Sequence, residues 1–308
     1  MSTKSLPLSR SSRERRQNNM KPSASYGPFD YSPIVTRKKL EWPNGARVAF
    51  WVIPNIEFFA LSDRIPASTT GKMPDIPTWA VRDYGNRVGV WRFMDVFDKY
   101  GIRATVALNS DICVHHPVII AEGNKRNWEW MGHNKTNSKR LIDMTEDEEP
   151  KAIKEALDTI TRVAGKRPKG WLGSGLQETW NTLDHLAAEG VEYVCDWVND
   201  DQPYQMNLES GKKICAIPYS QDINDIPAFE RQHRTAEEFR DMICRQFDTL
   251  YAEGAQSGRA MSICLHPYLT GRAYRIHALD QALAYITSHK DVWLATGSEI
   301  IDAYKAQL

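Results

Sequence analysis

A parallel (β/α) barrel is the fold class this chain predicts, on three observations. Short apolar runs alternate with amphipathic stretches from residue 46 onward. Seven or eight of these runs read as strands followed by helical patterns, the mark of a parallel sheet covered by helices. Polar residues gather just after the ends of the runs, and in a barrel those positions share the carboxyl-terminal face, where active sites sit. A doubly wound open sheet is the alternative, but no GxGxxG turn follows the first strand.

The elements follow in order. Arg47–Ile56, after Asn44-Gly45, reads as a buried strand. Residues 61–84 are polar and Pro-rich and read as a loop over one end. Val90, Phe93, Met94 and Phe97 recur at spacings of three and four, so Arg87–Tyr100 reads as a helix closed by Gly101. Ala104–Leu108 is a strand, 116–123 a helix and Trp128–Met131 a strand. Thr145–Val163 is a helix with an acidic first turn that suits the helix dipole. Gly170–Gly173, Tyr193–Trp197 and Cys215–Tyr219 read as strands, with a helix over Gln177–Glu189. Thr235–Glu253 is a helix, Ala260–His266 a strand, Ile276–Ser288 a helix, Val292–Ala295 a strand and Ser298–Ala306 the last helix.

Composition narrows the class. At 308 residues with 42% hydrophobic content, the chain can bury a sizeable core. Acids and bases balance at 39 each, so no overall field draws nucleic acid or a membrane surface. No apolar run approaches the roughly 20 residues that span a bilayer. The five cysteines (113, 195, 215, 244 and 264) are odd in number and lack CxxC spacing. They read as reduced, mostly buried thiols of a cytoplasmic protein. Residues 1–25 are basic and Ser-rich without an apolar segment, and read as a disordered tail, an upstream start or a targeting segment. Residues 26–308 are expected to form a single barrel domain, entered by an extended strap through Pro28, Pro33 and Pro43.

Three residues stand out as candidates for chemistry. Glu57 follows the first strand among Trp51, Phe58 and Phe59, where burial should raise its pKa toward that of a general base. A structural pairing with Arg64 or Arg82 is the other reading. His133 follows the third strand, and two histidines four apart there could share a metal, but Asn137 holds the second position. His266, at the end of the 260–266 strand, suits an acid for a departing nitrogen. Around them, Asn55, Asn137, Ser174, Asp196, Asp200, Asp201, Tyr204, Asp225 and Arg272 are candidates for binding a ligand rich in N–H and C=O groups. Asp196 or Asp200 could instead orient a histidine, and the acidic and amide clusters could simply cap turns. Nothing marks a serine or cysteine nucleophile, since Gly173-Ser174-Gly175 is too short for a nucleophile elbow.

Together these strings resemble the polysaccharide deacetylase (NodB-homology) family. Glu57 ends a strand, HxxxN follows at His133, Arg167-Pro168 precedes a Gly-Trp strand, Asp196-Trp197 comes next and Leu265-His266 comes late. Asn55-Ile56-Glu57, Asn199-Asp200-Asp201-Gln202-Pro203-Tyr204, Pro218-Tyr219-Ser220 through Asp225, and Leu265 through Arg272 resemble the branch of cofactor-independent (PuuE-type) allantoinases and cyclic-amide hydrolases. The resemblance covers about residues 27–300. It implies a deformed (β/α) barrel of seven or eight strands. It also implies a catalytic carboxylate at Glu57, a first histidine at His133 and a leaving-group acid at His266. Phe58 and Asn137 stand where the deacetylases carry a metal-binding aspartate and a second histidine.

The expectation is therefore a hydrolase of a non-peptide C–N amide bond, in a cyclic amide, imide or ureide. In it Glu57 would activate water, His133 and Asn137 would hold the oxyanion, and no cofactor or metal would be needed. A Zn2+-dependent sugar deacetylase, its ion on His133 and Glu57, and a non-catalytic relative are the alternatives. The expected partner is a small-molecule substrate, with no nucleic acid and no membrane. The resemblance further implies a homo-oligomer, dimer or tetramer.

Overall fold

The computed structural model of the protein describes residues 26–66, 68 and 71–308. The chain separates into two units, Met1–Arg37 and Lys38–Leu308. The described part of the first carries one 3-10 turn, Ile34–Thr36, and the expected tail over 1–25 lies outside the described residues. All the strands among the described residues lie in the second unit.

That unit is built on β1 (Val48–Ile56), buried at all nine positions, as a strand covered on both faces must be. Its side chains divide by parity. Ala49, Trp51 and Ile53 pack inward with Ala107, Met131, Leu172, Tyr193 and Cys264. Val48, Phe50 and Val52 face outward with Val106, Leu108 and Ile263, against helix residues Phe93, Phe97, Ile160 and Phe247. The first cluster fills the barrel and the second seats the helices on it. Trp51 belongs to this interior and is almost fully buried.

The other strands are β2 (Thr105–Leu108), β3 (Glu129–Gly132), β4 (Gly170–Trp171), β5 (Tyr193–Val194), β6 (Tyr204–Asn207), β7 (Lys213–Ala216), β8 (Arg259–Leu265) and β9 (Val292–Leu294). Their order in the sheet is β6-β7-β5-β4-β3-β2-β1-β8, with β9 paired to β1. Every pairing is parallel except the β6–β7 hairpin. β8 follows β1 from Val48 to Pro54, β9 takes Val48–Phe50, and β2 takes Asn55 and Ile56. Between β8 and the hairpin, loop backbone does the closing: Ala260 N donates to Asp201 O (2.9 Å) and Cys264 N to Ile223 O (3.0 Å). Closure through loops rather than a full strand ladder makes this a deformed (β/α) barrel.

The helices are α1 (Ile76–Tyr84), α2 (Val90–Lys99), α3 (Ser110–His115), α4 (Pro117–Lys125), α5 (Glu149–Ala164), α6 (Thr182–Ala188), α7 (Ala236–Glu253), α8 (Ile276–Thr287) and α9 (Gly297–Lys305). None among the described residues is long and apolar enough to cross a membrane. The five cysteines are free, and all but Cys244 are buried.

Several expected elements change. The segment read as loop over 61–84 ends in α1, started by Asp75, whose side chain accepts from Thr78 N, with proline in the first turn. The helix expected over Arg87–Tyr100 begins as a π-helical turn, Gly85–Gly89. The strands expected over Gly170–Gly173 and Tyr193–Trp197 shorten to two residues each, because the chain leaves the ladder to line the barrel mouth. The helix expected over Gln177–Glu189 starts only at Thr182, whose hydroxyl bonds to buried Glu149. α3, β6 and a second π-helical turn at Ile226–Arg231 were not expected from the sequence pattern.

Candidate functional site

Glu57 leaves the end of β1 into a cage of hydrogen bonds that fixes its backbone. Just before it, Asn55 donates through Nδ2 to Leu265 O (3.2 Å) and the Tyr219 hydroxyl (3.3 Å), tying the ends of β1 and β8 together inside the barrel. Asn86 Nδ2 donates to Glu57 O (2.9 Å), and Trp79 Nε1 donates to Phe59 O (2.9 Å). Asn109 accepts from Phe58 N (2.9 Å) and donates to His133 O, so one amide spaces two site segments.

The Glu57 carboxylate is buried with three of the predicted side chains against it. Asn137 Nδ2 donates to Oε1 at 2.7 Å, while His133 Nε2 and His266 Nε2 each lie 3.6 Å from the same oxygen. The two imidazoles are held differently. His133 Nδ1 lies 2.6 Å from the carbonyl of Leu172. A carbonyl can only accept, so Nδ1 carries a proton and the ring turns Nε2 toward Glu57. His266 Nδ1 pairs with Asp225 Oδ1 at 2.7 Å. Asp225 is fully buried, and its second oxygen accepts from His266 N (2.8 Å) and Thr270 Oγ1 (2.6 Å).

These contacts reverse the predicted electrostatics of Glu57. Burial pushes its carboxyl up, as the sequence suggests, but the His266 charge and the facing His133 ring outweigh burial and hold it at about 2. Burial likewise pulls His266 down, yet Asp225 and Glu57 lift it to about 9. At neutral pH the pair is therefore carboxylate and imidazolium. Among the described residues, Glu57 Oε2, His133 Nε2 and Asn137 Oδ1 are buried without a hydrogen-bond partner. Two N–H groups predicted for the oxyanion are already engaged: His133 spends its Nδ1–H on Leu172 O, and Asn137 spends an amide N–H on Glu57.

Glu57 opens onto a cavity of about 390 Å³, lined also by Phe59, Leu61, Trp79, Arg82, Asn86 and His116. Phe58 does not point at the carboxylate; its ring stacks on His115 at 4.4 Å and 7°. The remaining predicted residues are distributed around this centre. Ser174 is buried with an unpartnered hydroxyl. Asp196 orients neither histidine by hydrogen bond; it accepts from Gly173 N at 2.8 Å. Burial lifts its carboxyl to about 6 and lifts neighbouring Glu178 well above the usual range, with the Asp196 charge adding to it. Asp200 accepts from Gln202 N (3.0 Å), the turn-capping alternative. Asp200 and Asp201 line a second cavity of about 280 Å³ with Tyr219, Ser220 and Asp222. Tyr204 lies in β6 with its hydroxyl on Asn199 Oδ1 (2.8 Å). Arg272 lays its guanidinium over the Tyr84 ring at 3.9 Å and donates to Tyr268 O (3.0 Å).

Fold and site together define a deformed (β/α) barrel with an acid–base centre where its strands end. The polysaccharide deacetylase family profile matches residues 72–194. A Schizosaccharomyces pombe protein named for the polysaccharide deacetylases is 26% identical over 301 residues, covering 86% of this chain and 92% of that protein. The crystal structure of PuuE allantoinase superposes with a TM-score of 0.80 at 28% identity, covering 90% of this chain and 98% of the other. A Pseudomonas aeruginosa PAO1 structure named for the polysaccharide deacetylases gives 0.79 at 27% identity, covering 90% and 99%. Over residues 72–194 and in overall fold the chain is similar to the polysaccharide deacetylases and to PuuE allantoinase.

The residues do not fit the metal centre that the family resemblance implies. Phe58 has no ligating atom and stacks on His115. Asn137 faces Glu57 with an N–H rather than a lone pair. No group of three or more His, Cys, Asp or Glu side chains among the described residues is arranged to hold an ion, and a divalent transition metal wants three or four such donors.

Proposed function

We propose that the protein hydrolyses a C–N bond in a small cyclic amide, imide or ureide, and does so without a metal ion. The observation that carries this is the line Asp225–His266–Glu57, in which a buried carboxylate holds an imidazolium against a second buried carboxylate. Glu57 accepts a proton from the attacking water, and His266 gives one to the departing nitrogen. The two transfers help each other. The His266 charge is what keeps Glu57 a weak base, so losing that proton to the leaving group strengthens Glu57 as it receives its own. Asn137 Oδ1 accepts from the water or from substrate N–H groups. A cavity of about 390 Å³ suits a small ring, at the low end of the range for ligand pockets. The likeness to PuuE allantoinase adds allantoin to the candidates.

A panel of allantoin, hydantoin, cyclic imides and N-acetyl sugars, assayed with and without exhaustive chelation, tests both parts. Turnover of a ring substrate that survives chelation is the expected result. Complete loss that Zn2+ restores would overturn the metal-free part, and turnover of acetylated sugars alone would overturn the substrate class.

A further inference from the structure

Arg82 is a buried cation that the site leaves unoccupied. It lies on α1 between Trp79 and Asn86, the two residues that grip the backbone of Phe59 and Glu57. Spacings of three and four put all three on one helical face. Its side chain is 10% exposed and makes a loose ion pair with Glu230 Oε1, 3.5 Å from Nη1. The guanidinium is held by rings, over Tyr268 at 4.0 Å and over Phe59 at 5.6 Å. Its Nε and Nη1 make no hydrogen bond among the described residues. Unmade bonds on a buried charge are costly, yet this group borders the same cavity as Glu57.

The other polar groups against the Glu57 carboxylate are committed: Asn137 donates to it, His133 Nδ1 is on Leu172 O, and His266 faces it while paired to Asp225. Arg87, also on the cavity wall, is 74% exposed beside Asp83. We propose that Arg82 binds the scissile carbonyl oxygen of the substrate and takes up its negative charge when water adds. This rests on the hydrolytic reading above. In the step, the water oxygen bonds to the carbonyl carbon and its proton passes to Glu57. The carbonyl π pair moves onto oxygen against Arg82. On collapse that pair re-forms C=O, the C–N bond breaks, and the His266 proton goes to nitrogen. A fixed cation aimed where charge develops needs no reorganisation at the moment of reaction.

Two measurements on the full chain test this. With hydantoin as the ring substrate, Arg82→Gln is expected to lose kcat by on the order of 10²–10³-fold, with a much smaller change in KM. Arg82→Lys, which keeps the charge, should recover part of the loss, and thermal melts of both variants separate this from unfolding. Acetate, the carboxylate group that an opened amide leaves, gives a readout without turnover. It should shift the nitrogen resonance of the Arg82 Nε–H in the wild-type chain. If Arg82→Gln keeps kcat within a few-fold, the role falls and the hydrolase reading stands. If the wild type turns over no ring substrate but acetate shifts Arg82, the hydrolase reading falls and the anion site stands. No acetate shift overturns the site in either case.

Discussion

Glu57 and His266 define each other's charge. The sequence places each at a strand end but says nothing of what faces it, and burial alone would neutralise both. Instead Asp225, buried and bonded to His266 Nδ1, keeps the imidazole protonated up to about 9. The sequence marked Asp225 only as a possible ligand for substrate, because its distance in the chain from His266 hides their contact. A measurable consequence is the alkaline limb of kcat/KM. It should fall near pH 9 in the wild type, as His266 loses the proton that the leaving nitrogen needs. Asp225→Asn removes the larger of the two charges that raise His266, so the limb should move down toward the ordinary histidine value of 6.5. A limb that stays in place on substitution would show that another group sets it. Glu57, His133 and His266 were legible because strand ends are recognisable from apolar runs. The Leu172 carbonyl that orients the His133 ring was not, since a backbone acceptor leaves no mark in the residue code. Arg82 appeared in the sequence only as a possible structural partner of Glu57.

At the scale of elements, the segments that build the cavity wall are those whose pattern misled. α1 follows a polar, Pro-rich stretch and presents Trp79 and Arg82 to the site, so it lacks the continuous apolar stripe by which helices are recognised. It runs on into the π-helical turn Gly85–Gly89, an irregularity often found at functional sites. That turn packs backbone to backbone against the loop after β8. A Cβ on Gly89 would meet the Pro267 carbonyl oxygen, and one on Gly85 would meet Tyr268 N. Both glycines are therefore set by close approach. Gly89→Ala should push the His266–Tyr268 segment outward. Overpacking of this kind costs about 1–3 kcal/mol, and the displacement should lower kcat as well. Urea unfolding read beside turnover checks it, and an unchanged midpoint would refute the close packing. β6 was similarly hidden, because four short residues before a Gly-containing turn read equally well as loop. α2, by contrast, was recognised from its apolar spacing, since its stripe packs on the outer cluster.

For the molecule as a whole, the buried centre links folding to pH. Glu57 is depressed from 4.5 to about 2, so its contribution is complete above 4.5 and lost as pH falls through 2. His266 is raised from 6.5 to about 9, so its contribution is complete below 6.5 and lost as pH rises through 9. Both are in full force only between 4.5 and 6.5. The melting temperature of the wild type should therefore drop between pH 7 and pH 10 by more than that of His266→Gln, which has no proton to lose. Parallel declines in the two proteins would count against the ion pair as a source of stability.

By itself the sequence determined the alternation of strands and helices, hence the barrel, and the identity of the carboxylate and two imidazoles at its strand ends. Those follow from local periodicity and from which side chains stand just past an apolar run. Only the tertiary structure decided the partners: which carboxylate faces which ring, which N–H groups are already spent, and which buried cation borders the cavity beside Glu57. Charge state and hydrogen-bond direction depend on neighbours brought from distant strands into one buried volume, and no local pattern in the chain records them.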